Sequence, residues 1–227
     1  MRALRCGALG LGLVIALGAS AQANVVQVFS RAAVGNTTFS FGSFGPAGTV
    51  LSTPVFEPGG PGTVGVSSSS GTLYIKQQGT DWNGNFAPGD FLLAQQDDDR
   101  SDTFIVSFAG KPVLGVGTQI QPASGFYGTF TGNMELFGAG AVLLGTVSVT
   151  GDSTSAGDNS APFIGAISNV PIAFIEFDVA TGFPNFPVEG DLAINDLTLR
   201  VVPEPATLAI LGPTLLGLAA LRRRRRV

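Results

Sequence analysis

Carboxylates are the densest chemistry in this chain. The segment Asp97-Asp98-Asp99-Arg100-Ser101-Asp102 carries four of them in six residues. Adjacent carboxylates repel unless a cation or solvent screens them, and calcium takes such hard oxygen ligands. Asp97, Asp98, Asp99 and Asp102 are therefore candidate calcium ligands, to be completed by remote acids. The EF-hand spacing does not fit. Asp102 falls where that loop needs Gly, and Phe108 where it closes with Glu. The plainer alternative is a solvated turn that protects the edge between two strands. Paired carboxylates also perform acid–base work on glycosidic bonds. Glu135, Glu176, Asp178, Glu189 and Asp191 are available for it, and no spacing selects a pair. Glu176 and Asp178 share one strand face at period two.

The segment Asp81-Trp82-Asn83-Gly84-Asn85-Phe86 contains the single Trp of the chain. An indole beside amides is what a sugar platform needs, an apolar face for the ring and polar groups for its hydroxyls. Trp82, Asn83 and Asn85 are candidate carbohydrate contacts on that ground. The alternative is a buried Trp next to an Asn-Gly turn.

Other chemistry is excluded by composition. Histidine is absent, and Cys6 is the only cysteine. Neither a Ser-His-Asp nor a Cys-His nucleophile can be built, nor any His-based metal site. The net charge of −4 hides an asymmetry. Arg2, Arg5 and Arg222 to Arg226 sit at the ends, while residues 24–202 hold five basic and fifteen acidic residues, a net of −10. A body so acidic is unsuited to nucleic acid, whose binders need a basic surface.

The elements that must position these groups lie between two terminal signals. Arg2 and Arg5 precede an apolar run over 8–19, and Ser20-Ala21-Gln22-Ala23 ends in an A-x-A pattern before Asn24. This predicts a secretory signal peptide over 1–23, cut between Ala23 and Asn24, with Ala21 and Ala23 as the small residues the peptidase requires. At the other end, 206–221 is a 16-residue uncharged apolar run followed by five arginines. As a helix it would cover ~24 Å, short of a hydrocarbon core of ~30 Å. It predicts a marginal transmembrane helix with Arg222, Arg223, Arg224, Arg225 and Arg226 held on the cytoplasmic side.

Pro203-Glu204-Pro205, the short apolar segment and the terminal Arg run together resemble the PEP-CTERM sorting signal, over residues 201–227. That resemblance implies recognition by an exosortase, a membrane-embedded transpeptidase of Gram-negative bacteria that make exopolysaccharide. It implies that Pro203, Glu204 and Pro205 are the recognition and processing site and that the helix and Arg run are removed. The partners implied are the secretion machinery, an exosortase, the inner membrane as a transient station, and exopolysaccharide.

Between the signals no helical periodicity recurs. Short apolar or alternating runs at 25–29, 37–41, 72–77, 91–94, 103–108, 115–120, 125–137, 142–150, 161–167, 173–179 and 192–202 are each bounded by Gly, Pro, Asn or Asp. They predict one all-β domain over 24–200, an antiparallel β-sandwich of jelly-roll type. Residues 58–71 are expected to be a long loop or a mobile hairpin, and 182–190 another loop. From Asp81 to Asp196 the order of segments DWNGNFAPGDFLLAQQ, VLGVGTQIQPASGFYGTFTGNMELF, DNSAPFIGAIS and GDLAINDLTL resembles an uncharacterised jelly-roll-like ectodomain of PEP-CTERM proteins. The resemblance implies a fold and no activity. The functional expectation is a non-enzymatic surface or matrix protein, without an obligatory cofactor, associated with exopolysaccharide. The alternative is a calcium-dependent carbohydrate-binding module or a secreted carbohydrate-active enzyme.

Overall fold

The computed structural model describes residues 23–59, 62–69, 72–96, 104–122, 125–181 and 192–202. The predicted signal peptide up to residue 22 and the predicted sorting signal from Pro203 onward lie outside them, as do Asp97 to Asp102 and 182–190. Among the described residues no helix is long and apolar enough to cross a membrane.

Fifteen strands follow one another in the described residues: β1 (Val25–Val28), β2 (Thr37–Phe39), β3 (Val50–Leu51), β4 (Val55–Gly59), β5 (Gly62–Ser68), β6 (Thr72–Gln77), β7 (Phe91–Gln96), β8 (Phe104–Gly110), β9 (Val113–Pro122), β10 (Gly128–Phe137), β11 (Leu143–Ser153), β12 (Phe163–Ile172), β13 (Phe174–Thr181), β14 (Leu192–Ile194) and β15 (Leu197–Val201). One helical turn, α1 (Arg31–Val34), is capped by the Ser30 side chain, which accepts from the Ala33 N–H. The strands form two antiparallel sheets. One has the order β11-β10-β13-β8-β5-β4; the other runs β1-β12-β9-β14-β7-β6-β3, with β15 joining β9 to β2.

Period-two alternation decides which side chains enter the sandwich. In β10, Phe130, Gly132, Met134 and Leu136 are buried while Thr131, Asn133, Glu135 and Phe137 are half-exposed. In β13, Ile175, Phe177 and Val179 are buried and Phe174, Glu176 and Asp178 face out. The inward residues meet Ile120, Ile164, Leu192, Ile194, Leu197 and Leu199 of the larger sheet in one core.

One expectation is decided and one changes. Of the loop or hairpin expected over 58–71, the structure has the hairpin, formed by β4 and β5. Val64 and Val66 fill the core, and Pro58 is tolerated because β4 is an edge strand, where a missing N–H breaks no inward ladder. The expected strand over 192–202 is broken at Asn195–Asp196. β14 pairs with β7 and β9, and β15 with β9 and β2. Asn195 uses its side chain to bond β9 across the break, donating to Gln119 Oε1 at 2.6 Å and accepting the Gln119 N–H at 3.0 Å.

The sheets are in close contact where β10 carries Gly132. A Cβ there would stand 2.9 Å from Ile120 Cγ2 of the opposing sheet. Gly132→Val should therefore overpack the sandwich, costing about 1–3 kcal/mol in chemical denaturation; an unchanged midpoint would mean that the sheets are not in contact at this level.

Candidate functional site

The two sheets differ on their outer faces. The larger one is covered over β7 and β14. Its strands β7 and β14 turn Leu92, Ala94 and Ala193 outward, and these would lie in water but for two connections laid across them. The first is the segment between β6 and β7; the second follows β11. Trp82 and Phe86 from the first and Ala161 from the second complete a small buried cluster.

Trp82 is 2% exposed in that cluster. The expectation of a sugar platform at Trp82 is thus corrected: neither indole face is presented at the surface, and the ring plugs a sheet face. Asn85 is likewise 2% exposed. Its Oδ1 accepts from Thr154 N–H at 2.6 Å and Gln121 Nε2 at 3.2 Å. Its Nδ2 donates to Thr154 Oγ1 at 2.8 Å and Ser160 Oγ at 2.7 Å. Such a satisfied buried amide latches the two connections together and has nothing left for a hydroxyl. Asn83 alone of the three is exposed.

A second polar centre on this sheet gathers around Arg31. Its guanidinium donates to the Asp196 carbonyl and Asn195 Oδ1, each at 2.8 Å, and to Thr198 Oγ1 at 3.1 Å; it also lies 5.9 Å from the Phe163 ring centroid. Asn195 Nδ2 donates to Asp90 Oδ2 at 2.9 Å. Burial pushes the Asp196 carboxyl above the usual carboxylate range; a Ser40 hydrogen bond opposes the rise and the Asp90 charge adds to it. This centre ties α1 to the break between β14 and β15.

No described residue covers the outer side of the six-stranded sheet, and there the structure brings together acids that the sequence left unpaired. Glu135 of β10 stands directly opposite Glu176 of β13. Thr146 and Ile105 continue that row to either side. One step along, Asn133 Nδ2 donates to Asp178 Oδ2 at 3.2 Å, and Ser148 Oγ donates to Asn133 Oδ1 at 2.8 Å. On the other side of the acid pair, Phe137 and Phe174 stack at 4.6 Å between centroids and 8° between planes. Their row runs on through Ser107 and Gly65 to Phe56, which is 57% exposed. Gly65 leaves room for that phenyl ring, since a Cβ there would meet it at 2.5 Å. The result is a row of aromatic faces beside a row of carboxylates and amides.

No Lys or Arg occurs in the six strands of this sheet, which hold Glu57, Glu135, Asp152, Glu176 and Asp178. Partial burial pushes the Glu176 carboxyl above its ordinary range, and the Glu135 charge adds to the rise. Like charges directly opposite on neighbouring strands destabilise a sheet. The alternation of β10 and β13 placed both acids outward; no sequence signal disclosed that β10 and β13 are neighbours, or that Phe137, Phe174 and Phe56 share the face.

Of the remaining predicted site residues, Asn24 immediately precedes β1 and donates its N–H to Asn169 Oδ1 at 2.8 Å, with Ala23 beside it. Ala21, Pro203, Glu204, Pro205 and Arg222 to Arg226 lie outside the described residues, as do the calcium candidates Asp97, Asp98, Asp99 and Asp102. Among the described residues no three acidic groups converge so as to hold a metal ion.

Glu176→Gln keeps the shape of the acid row and removes one charge. The folded-state pKa of Glu176 is raised, so its ionisation opposes folding. The variant should gain on the parent as pH rises above about 4.3 and be more stable by about 0.2–1 kcal/mol at neutral pH. A stability difference independent of pH between 4 and 7 would contradict the opposed pair.

No family model matches this chain, and no curated protein does. The solved structures that resemble it distantly include the following two. A DUF4465 family protein from Bacteroides caccae has 10% sequence identity and a TM-score of 0.38, over 78% of this chain and 100% of the other. The enzymatically active domain of tailspike protein 4 of bacteriophage CBA120 has 10% identity and a TM-score of 0.33, over 61% of this chain and 19% of the other.

Proposed function

We propose that this chain is an exported, non-enzymatic β-sandwich of jelly-roll type that associates with exopolysaccharide at the cell surface or in the extracellular matrix. The outer face of the six-stranded sheet carries this reading. Stacked and exposed phenyl rings offer apolar surface to pyranose faces, and the adjacent acid and amide row offers acceptors and donors to hydroxyls. The chain's repeated crossing between sheets, from β7 to β8 to β9 to β10 and again from β11 through β14, supports the jelly-roll course. The tripartite leader and the Pro203-Glu204-Pro205 segment with its apolar run and Arg222 to Arg226 support export through the inner membrane and handling by an exosortase.

A second reading rests on Glu135 and Glu176. Two opposed carboxyls, one with a raised pKa, are the raw material of a glycosidase acid–base pair. Polysaccharide turnover abolished by Glu176→Gln would replace the non-enzymatic reading.

Both halves of the proposal meet in one experiment, intact-mass analysis of the protein recovered from the polysaccharide fraction and from the medium of the producing cells. The expected mass is that of a chain starting at Asn24 and lacking the Arg run, found mainly with the polysaccharide. Phe174→Ala should shift it to the medium. A complete tail on all mature protein, or equal retention of the Phe174→Ala variant, would contradict the proposal.

A further inference from the structure

One end of the sandwich is apolar at its tips. The connection from β10 to β11 presents Ala139, Gly140, Ala141, Val142 and Leu143, five consecutive exposed residues. Val142 is 60% and Leu143 52% exposed. The turn is closed by a hydrogen bond from Gly138 N–H to the Val142 carbonyl at 2.8 Å. Beside it a shallow depression is lined by Phe108, Lys111, Pro112, Ala139, Pro171 and Ala173. Across the connecting residues 109–113, 138–143 and 169–173 the single ionisable side chain is Lys111. This is unusual in a body with a net charge of −10.

The described chain also ends here. Val202 N–H donates to the Pro112 carbonyl at 3.0 Å, which fixes the last strand against the same depression. The uncharged run 206–221 begins four residues later. Four residue steps span at most about 14 Å, and a headgroup layer is about 5–8 Å deep on each side of the hydrocarbon. If that run enters a bilayer, this end of the sandwich can stand off the headgroups by no more than roughly 10 Å.

We propose that this end, through Val142, Leu143 and Lys111, rests on the surface of an anionic bilayer while the apolar run is inserted. Val142 and Leu143 suit the boundary between headgroups and acyl chains, and Lys111 suits anionic phosphate. The inference depends on the proposed membrane station of the sorting signal. It adds that the domain docks in one orientation, with the bare face of the six-stranded sheet held upright from the membrane. The tether is what selects a bilayer over a second copy as the occupant.

The test uses the full chain with Cys6→Ser, reconstituted into phosphatidylethanolamine–phosphatidylglycerol vesicles. Single thiols are introduced as Val142→Cys, Leu215→Cys or Ser155→Cys and labelled with an environment-sensitive dye. Ser155 lies in the loop after β11, at the opposite end of that strand from Val142. Nitroxide lipids should quench the labels at 142 and 215 and leave the one at 155 bright. Quenching at 215 without quenching at 142 would overturn the docking and leave insertion standing. Quenching at neither would overturn insertion, and the docking with it. Equal quenching at 142 and 155 would overturn the oriented contact. A blue shift at 142 that depends on protein concentration and not on nitroxide lipid would assign this end to a second copy instead.

Discussion

The pairing of β10 with β13 is the constraint on which the rest depends. Its antiparallel register puts Met134 against Phe177 and Leu136 against Ile175 on the inner side, where they fill the core. The same register forces Glu135 against Glu176 and Phe137 against Phe174 on the outer side. A slip of one residue would exchange the two sets, sending carboxylates into the core. The apolar side therefore fixes the polar side, and the repulsion between the two glutamates is tolerated because burial of Phe177, Ile175, Met134 and Leu136 outweighs it. Full burial of one such side chain is worth about 1.5–3 kcal/mol, against about 0.2–1 kcal/mol for an opposed pair of like charges.

The two sheets have divided their outer surfaces. On the larger sheet the latch of Asn85, Gln121, Thr154 and Ser160 closes two connections over Trp82 and Phe86, so the face over β7 and β14 has become a small second core. On the smaller sheet nothing in the described chain covers the aromatic and acidic rows. A surface that keeps stacked phenyl rings half-exposed beside uncompensated carboxylates is poorly designed for stability alone. That contrast is the physical basis for assigning the proposed glycan contact to the smaller sheet and not to the residues around the Trp.

Much of the fold was legible and much of the site was not. The apolar runs at 125–137 and 173–179 identified strands, and period two put Glu176 and Asp178 on one face, because both signals are local. Pairing is not local. Nothing near Glu135 in the chain points to Glu176, and nothing near Trp82 points to the loop that carries Thr154, Ser160 and Ala161. For Trp82 and Asn85 the same residues serve a platform or a plug equally well, and only the distant loop decides between them. The Gly and Pro content of 58–71 left a loop and a hairpin equally open, although Val64 and Val66 follow the alternation of a core strand. The break at Asn195 was hidden because an uninterrupted alternation over 192–200 says nothing about a change of neighbouring strand.

The register of β10 on β13 can be read directly by a cross-link. In a Cys6→Ser background, Glu135→Cys with Glu176→Cys places two thiols on directly opposed residues, whose Cα atoms are about 4.5–5.5 Å apart and within disulfide reach. Mild oxidation of the folded chain should bridge this pair readily and leave Glu135→Cys with Ala180→Cys unbridged. Absence of the first bridge, or equal formation of both, would contradict the register and with it the acidic and aromatic face.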